Sequence, residues 1–173
     1  HGGLDIVVAN ASGFARGASA DAFRHAFEID LMHTVTAADA AIPFLEQSRA
    51  GSIVAISSVS GIEDYGYDGA AYGTLKAALL FYVKTLSGRL AARGIRANAV
   101  SPGTTYVTGG FWHKVEQSDP ETFASEIANN PMGRMARADE VAKPAVFLAS
   151  PAASFITGTN LTVDGGYTRR VQL

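Results

Sequence analysis

The residues best suited to chemistry are Ser58 and the run Tyr72-Gly73-Thr74-Leu75-Lys76. On a helix, a Tyr and a Lys four positions apart sit about 40° apart around the axis, so both can face one pocket. A lysine ammonium beside a phenol favours the phenolate and brings its proton transfer nearer neutral pH. A hydroxyl from an upstream strand end, here Ser58, can hydrogen-bond the substrate oxygen that receives the proton. Three such groups suit reversible carbonyl reduction. Without their surroundings, Tyr72 and Lys76 read more readily as a core tyrosine and a snorkelling lysine, and Ser58 as a turn cap with Ser57 a decoy beside it.

These groups need strand ends and a helix to carry them, and the pattern supplies both. Leu4–Asn10 reads as a buried strand running into the small-residue turn Ala11-Ser12-Gly13. From Ala20 to Glu46 apolar residues recur at helical spacing, as one long helix or two with a break. Ser52–Ser58 forms a second strand, and 61–69 a loop. Tyr72, Leu75, Leu79, Tyr82, Leu86 and Leu90 predict a long helix over 70–93, stopped by Gly94. Ile95–Val100 is a third strand. The polar stretch 104–135 reads as an excursion over the site, with a short helix near 120–129. A helix over 139–150 and a strand over 160–163 complete the chain. Strand–helix alternation predicts an α/β fold, a parallel sheet of about four strands flanked by helices, in a single domain over 1–173.

Bulk properties narrow the function. The chain has 173 residues, 47% of them hydrophobic and 17% charged, with net charge −2, as in a compact protein with a substantial core. No basic run supports nucleic-acid or membrane-surface binding. With no cysteine, disulfides, thiolate metal sites and a Cys nucleophile are excluded. His25 and His33 lack metal-ligand spacing, so no metal is expected. No membrane-spanning run or signal peptide is seen, which fits the cytoplasm. The chain opens on His1 with Met32 its first methionine, which reads as a start in mid-sequence or as a processed chain.

Five segments in order resemble the short-chain dehydrogenase/reductase family, and most nearly its bacterial 3-oxoacyl-acyl-carrier-protein reductase-like members. Asp5–Gly13 looks like the Asn-Asn-Ala-Gly strand end, and Ile56-Ser57-Ser58 like the catalytic-serine segment. Tyr72–Lys76 matches Tyr-x-x-x-Lys, and Ile95–Gly103 the stretch after the catalytic helix. Gly133–Ser150, with Ile156-Thr157-Gly158 and Val163–Gly166, resembles the C-terminal signature. The resemblance implies the C-terminal part of a Rossmann-like doubly wound sheet, and hydride transfer between NADP or NAD (NADP slightly favoured) and a carbonyl or acyl-thioester substrate. Tyr72 is then the acid/base, Ser58 the holder of the carbonyl oxygen, and Lys76 the group that acidifies Tyr72 and binds the nicotinamide ribose. Asn10, Ala11, Pro102 and Gly103, with Tyr72 and Lys76, line the cofactor, and 104–135 is the substrate lid. The resemblance also implies a homodimer or homotetramer through helices near 37–45 and 79–86.

Two departures stand out. Where the family has Asn on the helix after its Asn-Asn-Ala-Gly strand end, this chain has Asp30, a catalytic candidate with Ser58, Tyr72 and Lys76. It can serve a relay water, as a carboxylate acceptor or protonated in imitation of Asn, or pair with Lys76 and alter its pKa. The second departure is that no glycine-rich phosphate loop accompanies these motifs; Gly61 to Gly66 lack the strand–loop–helix context. The alternative reading is therefore a non-catalytic remnant serving as an oligomerisation module, with β-branched residues 6–8 on an unpaired edge. Phe111 and Trp112 read as apolar-substrate contacts or as a cluster under the loop. Arg134 and Arg137 are candidates for attracting an acidic carrier or phosphorylated substrate. Asn98 is expected to bond backbone across the sheet.

Overall fold

The computed structural model describes residues 2–66 and 68–171. Four strands, β1 (Ile6–Ala9), β2 (Ser52–Ile56), β3 (Arg96–Pro102) and β6 (Asn160–Val163), form one parallel sheet in the order β1-β2-β3-β6. The helices between them are α1 (Ala20–Ala26), α2 (His33–Leu45), α3 (Ala70–Leu90) and α6 (Ala138–Ala149). The excursion between β3 and α6 carries β4 (Thr105–Tyr106), α4 (Phe111–Ser118), α5 (Pro120–Asn129) and β5 (Ala136–Arg137), with β4 and β5 paired in parallel. The expected α/β fold is present, and with it the expected number of strands in the main sheet.

Strand alternation divides the core between two faces. Ile53 and Ala55 of β2, with Ala97 and Ala99 of β3, bury against Ala38, Ile42 and Leu45 of α2 and Leu79, Val83, Leu86 and Leu90 of α3. Val54 and Val100 point the other way, onto Ala145, Leu148 and Ala149 of α6. At the β1 edge Ile6 and Val8 are 44% and 50% exposed, and no strand pairs beyond them among the described residues.

The expected elements are present, with the first two strands shorter than expected, the third shifted to Arg96–Pro102, and the short pair β4 and β5 added. The stretch after Ala20 is one helical path interrupted by a π-helical segment, Phe27–Met32, rather than two separated helices. Helix α3 ends in a 3₁₀ turn at Ala91–Arg93, and Gly94 closes it in the left-handed region at φ 73°. The lid region holds helix α4 as well as the expected α5.

Polar groups fix the sheet's far side. The Arg96 guanidinium donates to the carbonyls of Leu148, Ala149 and Ser150, satisfying the end of α6 where the helix dipole favours a cation. Asn98 is fully buried; its Nδ2 donates to the Ile156 carbonyl at 2.9 Å and its Oδ1 accepts the Thr159 N–H at 3.1 Å. It bonds backbone across the sheet, as expected, and steers the chain into β6. Asn98→Leu keeps the volume but strands a buried donor and acceptor, which should cost about 2–4 kcal/mol. Urea unfolding measures this, and a loss below about 1 kcal/mol would show that water replaces the amide there.

Candidate active site

The chemistry-bearing residues gather at the carboxyl ends of the parallel strands, where open α/β sheets form their crevice. Asn10, Ala11 and Ser12 follow β1, Ser58 follows β2, and Pro102-Gly103 ends β3. Tyr72 and Lys76 come from the first turns of α3.

Ser58 is the N-cap of a 3₁₀ turn, Val59–Gly61, where its hydroxyl accepts the Ser60 N–H at 3.1 Å and lies 3.2 Å from the Ser60 hydroxyl. Ser57 is turned elsewhere: its hydroxyl donates to the Lys76 carbonyl at 3.0 Å, tying the end of β2 to α3. Two glycines make this contact close. A Cβ on Gly61 would stand 2.6 Å from the Lys76 backbone carbon, and one on Gly73 would stand 2.8 Å from the Ser60 carbonyl oxygen. Neither position has room for a side chain, so the serine turn and the Tyr-Lys helix are pressed backbone to backbone.

Lys76 is 1% exposed. Its Nζ donates to the Ile56 carbonyl at 3.1 Å, lies 3.4 Å from Asp30 Oδ1, and is 5.5 Å from the centre of the Tyr72 ring. Burial pushes the Lys76 ammonium below the ordinary lysine range, while the Asp30 carboxylate pulls it back up. The two candidate roles of Asp30 thus resolve in part: it pairs with Lys76.

Asp30 reaches this position because it lies in the π-helical segment. Such a segment widens one turn of a helix and frees backbone groups, and these insertions recur at functional sites. The freed Ile29 carbonyl is taken up by the His33 ring Nδ1, and the Thr34 hydroxyl lies 3.1 Å from His33 Nε2. Asp30 is 0% exposed. Its Oδ1 accepts the Ser12 hydroxyl at 2.5 Å, whereas Oδ2 is buried with no hydrogen-bond partner. By sequence Ser12 is only a member of the small-residue turn after the first strand. The Ser12–Asp30 contact spans separate elements, and nothing in local spacing signals it.

A row of rings borders the same cluster. Phe14 packs edge-on against Tyr72 with centroids 4.9 Å apart. Phe111 of α4 lies 4.8 Å from Phe14, and Trp112 lies 5.1 Å from Phe111. Phe111 and Trp112 therefore join the site's aromatic row rather than a separate cluster. Phe14 holds φ 44°, the one positive value at a non-glycine among the described residues. His113 serves the backbone, its Nδ1 accepting the Gly109 N–H at the start of α4.

Arg134 and Arg137 do not present free charge. Arg134 makes two bonds to Glu140, at 2.7 and 2.8 Å, and Arg137 pairs with Asp139 at 3.1 Å and Glu140 at 3.4 Å. The Arg134 guanidinium holds the Glu140 carboxyl down at about 2. The candidate role in attracting an acidic carrier is not supported, since both cations are already matched by acids at the start of α6. Among the described residues no group of three or more His, Cys, Asp or Glu could hold a metal ion.

Asn10 and Ala11 are exposed on one side of the crevice, and Gly103 approaches so closely to Asp164 that a Cβ would stand 2.9 Å from that side chain. The end of β3 is thus packed directly on the turn after β6, with no space for a side chain at Gly103. Among the described residues no glycine-rich loop opens a helix onto this crevice.

A family model described as "Enoyl-(Acyl carrier protein) reductase" matches residues 1–168. Isoepoxydon dehydrogenase patN of Aspergillus clavatus is 45% identical over 165 residues, covering 95% of this chain and 64% of the relative. Cis-4-hydroxycyclohexanecarboxylate dehydrogenase of Sinomonas cyclohexanicum is 37% identical, covering 96% and 67%. Among solved structures, ElxO with NADP bound superposes with a TM-score of 0.87 at 30% identity, covering 95% of this chain and 67% of that one. The chain spans about two thirds of the length of the curated relatives it matches.

Proposed function

Because the chain belongs to the short-chain dehydrogenase/reductase family, we propose that it carries the acid–base half of an NAD(P)-dependent oxidoreductase acting on a ketone and its secondary alcohol. The single observation behind this reading is the Tyr72–Lys76–Asp30 cluster at the carboxyl edge of the sheet, with Ser58 fixed beside it. When bound, the cofactor supplies or accepts the hydride at the carbonyl carbon. The Ser58 hydroxyl donates to the carbonyl oxygen and orients it. Tyr72 gives its phenolic proton to that oxygen in reduction and takes it back in oxidation. Lys76, held as a cation by Asp30, stabilises the phenolate left on Tyr72 and binds the ribose. Asn10, Ala11, Pro102 and Gly103 line the nicotinamide, and the lid 104–135 excludes water from the hydride path.

Relatives named for a hydroxycyclohexanecarboxylate substrate and a solved structure with NADP bound support this reading. The direct test uses full-length enzyme, a ketone and NADPH or NADH deuterated at nicotinamide C4. One deuterium should appear at the carbinol carbon; a product without label would remove the proposal. The enzyme works as a homodimer or homotetramer in the same reading, supported by exposed Phe44 on α2 and Phe81 on α3. Sedimentation as a monomer would end that part.

Asp30 acts through Lys76 and is a positioning residue in this scheme. Asp30→Asn removes the charge that raises Lys76, so Lys76 loses its proton at lower pH and the alkaline limb of kcat moves down. The same change takes a negative charge away from Tyr72, so the phenolate forms at lower pH and the acidic limb moves down as well. The expected result is a pH–rate profile displaced as a whole toward acid. A superimposable profile would mean that Asp30 contributes packing alone.

A further inference from the structure

The aromatic row beside Tyr72 has a purpose that the acid–base groups do not explain. Phe14 is held in a left-handed conformation at φ 44°, which a bulky side chain adopts at an energetic cost. A glycine there would avoid that cost, so the strain is balanced by what the ring does. What it does is stand edge-on to the Tyr72 ring and hold Phe111 of the lid at 4.8 Å. Phe14 remains 36% exposed and Phe111 40% exposed, so both offer apolar surface beside the proton donor. Binding sites pair such walls with a few oriented polar groups, and here those are Ser58 and Tyr72.

Charge restricts the occupant further. The lid over 104–135 contains two basic residues, Lys114 and Arg134, against four acidic ones, Glu116, Asp119, Glu121 and Glu126. Arg134 and the adjoining Arg137 are committed to Glu140 and Asp139. A substrate tethered to an acidic carrier or a nucleotide thioester would meet like charge along this lid.

We infer that Phe14 and Phe111 form the apolar wall of the substrate site, and that its occupant is a compact ring bearing the ketone or secondary alcohol, with no anionic carrier. The inference rests on the oxidoreductase reading above and names its substrate class. A saturated ring presents a ready-made face of C–H groups to the aromatic surface, whereas an open chain must lose rotamer freedom to do so. Phe14 is the specificity-determining residue, because it touches Tyr72 and the lid together.

The test compares cyclohexanone, 2-hexanone and acetoacetyl-coenzyme A as substrates of the full-length enzyme with NADPH or NADH. The wild type should favour cyclohexanone over each of the others by about tenfold or more in kcat/KM, the scale on which apolar pocket contacts discriminate. Phe14→Ala should bring the ring-over-chain ratio toward one, chiefly by raising KM for cyclohexanone. Phe111→Ala, on an exposed lid helix where folding is not at stake, should act in the same direction. A wild-type preference for the thioester or for the open chain would overturn the inference and leave the oxidoreductase reading standing. Equal losses on all three ketones in both variants would do the same. Failure to reduce any ketone would overturn both.

Discussion

Replacing Lys76 by methionine should destabilise the fold by about 3–5 kcal/mol, the range for removing one partner of a buried ion pair. The Lys76 and Asp30 side chains are 2% and 0% exposed and 3.4 Å apart. Without the ammonium, Asp30 keeps only the Ser12 hydroxyl, and its Oδ2 has no partner to begin with. The Ile56 carbonyl loses its donor as well. In a chain of this size each kcal/mol lowers Tm by about 2–4 °C, so thermal unfolding should fall by roughly 10 °C. The decisive control is Lys76→Met with Asp30→Leu, which replaces the pair by apolar groups and should recover most of the loss. A single variant as stable as the wild type would show that the pair is reached by water and does not hold the site together. Turnover should be lost in both, since neither can support a Tyr72 phenolate.

Tyr72→Phe should leave the fold nearly intact and lower kcat by about 10²–10⁴-fold, the usual contribution of a positioned general acid or base. The ring that packs against Phe14 at 4.9 Å is retained, and only the hydroxyl goes. Stability should therefore change by about 1 kcal/mol or less, and cofactor affinity should stay near its original value. The split between lost turnover and preserved binding separates a proton donor from a structural tyrosine. If kcat falls by less than about tenfold, the proton comes from another group, and water would be the first to consider.

Much of this arrangement was legible in the sequence because it rests on local period. The spacing of Leu75, Leu79, Leu86 and Leu90 defines one face of α3, and alternation in 52–58 and 95–100 defines strands. Tyr72 and Lys76 then share a face by helix geometry alone. The parts that escaped notice depend on contacts between distant segments. A π-helical turn at Phe27–Met32 has no spacing signature of its own, because it is the tertiary demand on Asp30 that decides it. The two-residue strands β4 and β5 are too short to show a period. Phe14 has no signature in the sequence, since its contact with Phe111 joins residues 97 positions apart. Arg134 and Arg137 looked available, since sequence lists charges without showing that Glu140 takes up both.

The glycine contacts behind Ser58 have an evolutionary consequence. With Gly61 and Gly73 seating the serine turn directly on the backbone of α3, the Ser58 turn and the helix that carries Tyr72 and Lys76 form one indivisible cassette. Misplacement by about 1 Å can cost a hundredfold in rate, and this cassette resists such drift whatever happens around it. The aromatic row and the lid are attached through side chains instead, and side chains can be exchanged one at a time. On the roles proposed above, substrate preference and proton transfer hang on separate attachments, so that exchanges in the first need not disturb the second.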